Sequence, residues 1–97
     1  MSMGGSGVIS VLANVAPQKV SKMVHACLDG DYKTAAAIQV EAIPMIKALF
    51  CETSPIPVKA AMNMMGWNVG ACRMPLTTME ESNRKMLEAA MKDYGLL

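Results

Sequence analysis

Histidine, aromatic side chains and surplus charge of either sign are all scarce in this 97-residue chain, which has one histidine, 4% aromatics and a net charge of +1. Lysines and glutamates are evenly spread, so no basic face exists to attract nucleic acid or anionic lipid, and neither is expected as a partner. No run of about 18 apolar residues occurs, and the first residues lack the basic flank and apolar core of a signal peptide, so a cytoplasmic location is expected. Cys27, Cys51 and Cys72 are odd in number with no close pair, which argues against a disulfide framework or a zinc knuckle. Reduced, mostly buried thiols follow. No metal site and no cofactor are expected.

Apolar side chains are abundant, at 53% hydrophobic against 18% charged. Small domains expose much of themselves, so this excess suggests large interfaces. The eleven methionines fall at helical core spacings, where methionine serves as an adaptable filler rather than a recognition surface.

The chain is organised around Gly4 to Pro17. Val8, Ile9, Val11 and Leu12 form a short apolar run rich in β-branched residues, bounded by glycines before and by Asn14 and Pro17 after, the pattern of a strand buried on both faces. It is the only convincing strand. Its N–H and C=O groups need partners, because burying one unpaired costs roughly 1–3 kcal/mol, and those partners must be other copies of the chain or a missing part of the protein.

Everything after Pro17 reads as helix. Asn14 is placed to cap the first helix and Pro17 suits its first turn, while Val20, Met23, Val24, Cys27 and Leu28 form one apolar stripe that Gly30 ends. Asp31 is the expected cap of a second helix, with Ala35, Ile38, Ala42, Met45 and Leu49 on one face and Pro44 inside it, where a kink or a split is expected. The Thr53–Pro57 stretch stops that helix, Pro57 starts a third running to about Met65, and Gly66 terminates it. Trp67 to Leu76 reads as an ordered connector. Thr78 and Glu81 form a capping box for the last helix, whose inner face is Met79, Met86, Leu87, Ala90 and Tyr94, with Gly95 as its left-handed stop and Leu96 packing behind.

The chemistry visible in these residues is thin. His25 and Cys27 lie two positions apart on one helix and project to different sides, a poor catalytic pair. Asp29 and Asp31 at a helix junction read as caps, and Glu80 and Glu81 as partners of a helix dipole. Lys59 would be a nucleophile only in apolar surroundings, and a surface or interface ion pair is the simpler expectation.

Several stretches, in order along nearly the whole chain, resemble the dihydrodipicolinate synthase family: Gly4-Gly5-Ser6-Gly7-Val8-Ile9-Ser10-Val11 with Ala13-Asn14-Val15-Ala16-Pro17, Gly30-Asp31, Leu49-Phe50-Cys51-Glu52 with Ser54-Pro55-Ile56-Pro57-Val58-Lys59-Ala60, Arg73-Met74-Pro75-Leu76, and Gly95-Leu96-Leu97. The Pro-Ile-Pro-Val-Lys stretch favours this family branch over its sibling, N-acetylneuraminate lyase. The resemblance implies an α/β fold in which the chain is a C-terminal fragment of a (β/α)8 TIM barrel, holding the last strand and helix (residues 1–30) and a C-terminal three-helix extension (residues 31–97), so that the chain itself is mostly α-helical.

It further implies a lyase of lysine and diaminopimelate biosynthesis that condenses pyruvate with aspartate semialdehyde through a Schiff base on a barrel lysine, commonly as a homotetramer. The position matching Ile9 lines the pyruvate pocket through its backbone. Lys59 matches a peripheral helix, and the family's Schiff-base lysine, proton-relay tyrosines and paired threonines belong to earlier strands without counterparts here. The expected partners are pyruvate in the complete enzyme and the missing N-terminal barrel portion, and no catalysis is expected from this chain alone. The alternative is a standalone helical interaction or oligomerisation module without catalysis.

Overall fold

In a computed structural model covering residues 1–97, the chain forms four α-helices: α1 (Pro17–Leu28), α2 (Tyr32–Leu49), α3 (Ile56–Met64) and α4 (Glu81–Asp93), preceded by a short 3-10 turn (Leu12–Asn14). No strand forms. Residues 5–9 make no backbone–backbone hydrogen bond, and the run expected as a strand over Val8–Leu12 turns helical at its end, with Val11 at φ −62° and ψ −39°. The physical reason is the want of a neighbour: a strand exists only through its ladder, and no other segment of this chain forms a strand. Val8 is half-exposed and Ile9 fully exposed, whereas Leu12 is buried.

One cluster of buried side chains joins all five elements. Leu12 and Val15 at the turn, Val20 of α1, Met45 and Leu49 of α2, Val58 of α3, and Leu87 and Met91 of α4 all contribute. Met45, Leu49, Leu87 and Met91 are almost completely buried, each worth roughly 1.5–3 kcal/mol of transfer free energy. The α2 face is the expected one except that Ala48 joins it and Ile38 is only half-buried. On α1, Leu28 faces solvent, while on α4 Met91 takes the core position and Met86 is exposed. The methionines therefore divide: two fill the core, Met62, Met64, Met65 and Met79 pack around it, and Met3, Met74 and Met86 are exposed. The three cysteines are free and half-buried rather than buried.

The three glycine stops are as expected, while α2 ends at Leu49, before the proline-rich stretch expected to stop it. Gly30, Gly66 and Gly95 all have φ between +78° and +88°, and each helix closes on a paired set of hydrogen bonds, such as Asp31 N–H to the Ala26 carbonyl and Gly30 N–H to the Cys27 carbonyl. The helix starts are less so. Pro17 is the first residue of α1, but Ala16 occupies the cap position and the Asn14 amide instead donates to the Val11 carbonyl at 3.1 Å. Asp31 does cap α2, accepting from the Thr34 N–H at 3.1 Å. Thr34, first through its side chain and then through its N–H, holds the Asp31 carboxyl below the ordinary aspartate value.

Pro44 does not split α2, which runs unbroken through it. The carbonyl that loses its partner belongs to Val40, on a turn exposed to solvent. The expected capping box of α4 does not form. Glu80 sits at the cap without a side-chain bond, and its N–H donates to the Glu52 carboxylate at 3.1 Å, which also accepts from Asn83 Nδ2 at 3.1 Å. A carboxylate from the α2–α3 loop thus supplies what Thr78 and Glu81 were expected to supply.

Candidate functional site

The segment carrying Ile9 is anchored at one end and free at the other. At the anchored end the Ala13 N–H meets the Ser10 carbonyl at 3.2 Å and the Ser10 hydroxyl at 3.3 Å, and the Val15 and Ala16 N–H groups both reach the Leu12 carbonyl. Leu12, Val15 and Ala16 are buried beneath this turn, so residue 10 is fixed against the helices. Beyond it, residues 5–9 present unpaired amides and carbonyls with an exposed Val8–Ile9 pair. Such a segment offers main-chain groups on both edges to incoming neighbours.

The other residues considered for chemistry do not come together. His25 is exposed, with Nδ1 2.8 Å from the Ser21 carbonyl oxygen and 3.3 Å from the Ser21 hydroxyl, and it has no thiol or carboxylate partner. No group of three metal-ligating side chains forms. Lys59 makes no ion pair; its Nζ donates to the Ala71 carbonyl at 2.7 Å and pins the connector to α3. Burial, and then the neighbouring Glu52 carboxylate, push the Cys51 thiol above its ordinary value.

Two clasps escaped the local pattern because their partners are far apart in sequence. Glu52 holds the start of α4, as described above. Lys19 donates to Glu41 at 2.8 Å and to the Tyr94 carbonyl at 3.1 Å, with its ammonium 3.7 Å from the centroid of the Tyr94 ring, so one lysine ties α1 to α2 and to the end of α4. The Tyr94 hydroxyl is buried without a partner, and burial raises its pKa. A third clamp is Asn63, which accepts from the Val69 N–H at 2.8 Å and donates to the Gly70 carbonyl at 3.0 Å, shaping the bend that holds Asn68 at φ +51°.

The chain matches the model of the dihydrodipicolinate synthetase family over residues 1–94. It belongs to that family. It is 53% identical over 97 residues to the 4-hydroxy-tetrahydrodipicolinate synthase of Acetivibrio thermocellus and 47% identical over 97 residues to that of Methanocaldococcus jannaschii, covering all of this chain but only 33% and 34% of those proteins. Among solved structures, the dihydrodipicolinate synthase of Thermotoga maritima superposes with a TM-score of 0.95 at 40% identity, covering 99% of this chain and 32% of that one. A pyruvate complex of the Acinetobacter baumannii synthase superposes with a TM-score of 0.93 at 37% identity, covering 98% of this chain and 33% of that one. The chain thus spans about a third of the dihydrodipicolinate synthases that it matches, and it is a C-terminal fragment of their TIM-barrel fold. The family comprises lyases of lysine and diaminopimelate biosynthesis. No helix is long and apolar enough to cross a membrane.

Proposed function

We propose that this chain supplies the last β/α unit (residues 1–30) and the C-terminal three-helix extension (residues 31–97) of a cytoplasmic 4-hydroxy-tetrahydrodipicolinate synthase, and that it is inactive alone. The observation that carries this reading is the unpaired segment 5–9: its apolar residues and free amides have no partner here, in a chain that otherwise superposes on a third of a synthase. Joined to the remaining barrel, that segment becomes a stave between two neighbours. The Ile9 main chain then lines the pyruvate pocket while its side chain fills the barrel core. A main-chain group on a rigid strand is well suited to fix a small keto acid.

The reaction implied is condensation of pyruvate with aspartate semialdehyde through a Schiff base, with the nucleophilic lysine supplied by the remaining barrel. Lys59 has no part in it, consistent with its place beside the Ala71 carbonyl. The working assembly is a homo-oligomer, a tetramer by family habit.

Intact-mass analysis after borohydride reduction with pyruvate tests the reading. The chain alone gives no adduct, and a mixture with the complementary barrel portion gives an adduct on that portion; a stoichiometric adduct on the isolated chain would refute it. A second reading, a helical interaction module without catalysis, draws on the hydrophobic core that the turn and four helices build by themselves. It requires a cooperatively melting oligomer that does not respond to the barrel portion.

A further inference from the structure

Between α3, the connector and the start of α4 lies an open cleft of about 380 Å³, within the size range of small-molecule sites. Its walls are largely apolar, with Ile56, Ala60 and Met79 among them, and two cations, Lys59 and Arg84, line it. None of the chain's eight acidic residues does. Two main-chain acceptors at its edge are already used, the Gly70 carbonyl by Asn63 and the Ala71 carbonyl by Lys59.

Donors, by contrast, are in surplus. The Lys59 ammonium makes one hydrogen bond and keeps two N–H groups free. The Arg84 guanidinium enters neither ion pair of the chain, and the acid one turn along from it, Glu88, is held by Lys92 at 2.8 Å. A cleft with spare donors, two positive charges, apolar walls and no carboxylate matches an anion with a hydrocarbon body. It offers no opposite charge to an ammonium ion or to the positive end of a zwitterion.

We propose that this cleft is a binding site for a small organic carboxylate, held by Arg84 and Lys59 with its carbon skeleton against the α3 wall. Arg84 suits the role because its planar fork meets a carboxylate through two parallel bonds. The proposal does not depend on Ile9 or on the barrel reading, because every group that it uses belongs to α3, the connector and α4.

Cys72, half-buried in the same lining, provides a local reporter. The 97-residue chain is treated with iodoacetamide at constant ionic strength with glutarate or with the diammonium of equal length, 1,5-diaminopentane, and alkylation is followed peptide by peptide. Glutarate slows Cys72 saturably and leaves Cys27 and Cys51 unchanged, while the diammonium does nothing. The exposed Arg84→Met variant raises the half-protecting glutarate concentration about tenfold or more, the worth of a charge-assisted bond, and Arg84→Lys recovers part of it. Protection of Cys72 that is equal with the diammonium, absent with glutarate, or indifferent to Arg84→Met would overturn the proposal. So would three thiols that react equally fast without ligand, since the cleft exists only in the packed chain.

Discussion

Residues 1–10 and residues 12–94 are built from similar apolar material and meet opposite fates. Val8 and Ile9 are as hydrophobic as Val20 and Leu49, yet the first pair faces solvent and the second lies in the core. The difference is where backbone hydrogen bonds come from. A helix satisfies its own amides and then needs only a face to bury, so four helices of one chain can close a core around Leu49, Leu87 and Met91. A strand satisfies nothing by itself. Side-chain hydrophobicity does not order residues 5–9 until another strand supplies the ladder.

The largest break in this comparison comes from the packed side. Leu87→Ala removes a fully buried side chain of α4 and is expected to cost about 2–5 kcal/mol in urea unfolding, abolishing cooperative folding if the helices are only marginally stable. Next is Glu52→Ala, which strips both the Glu80 N–H and Asn83 of their acceptor and is expected to cost about 1–2 kcal/mol, with helicity lost first from α4 by residue-resolved exchange.

A smaller effect sharpens the helical side by pH. Asp31 is held below its ordinary value of 3.8 by Thr34, so its contribution is present above that value and lost as pH falls through the lower folded value. An acid titration of helicity is expected to show this loss at the start of α2, and Asp31→Asn, which still caps, flattens it. The least effect comes from the loose side. Ile9→Ser is expected to change the midpoint of unfolding by less than about 0.5 kcal/mol, as for an exposed residue, while reducing aggregation of the isolated chain by light scattering.

The sequence carried most of the helical architecture because helix stops are local. Gly30, Gly66 and Gly95 announce themselves by residue type, and Pro17 and Asp31 do the same for two starts. What it could not carry was long-range. The α4 cap comes from Glu52, 28 residues before Glu80, so Thr78 and Glu81 made a plausible box that tertiary structure replaced. Met86 was the methionine expected to face inward, and the packing of α4 against α2 and α3 buries Met91 instead. Val8 to Leu12 was legible as a strand-former but does not form a strand, since no second strand in these 97 residues supplies a ladder. The donor-rich cleft left no local signal either, since Lys59 and Arg84 line it from different helices.

The central claim is that residues 5–9 are a barrel stave that lacks its neighbours in this chain. Amide hydrogen exchange of Val8 and Ile9 tests it most directly, measured in the isolated chain and again after mixing with the complementary portion of a synthase. The account predicts exchange at unprotected rates alone and strong protection in the mixture, appearing together with pyruvate adduct formation. Protection in the isolated chain, or an active mixture in which both amides still exchange freely, would contradict it.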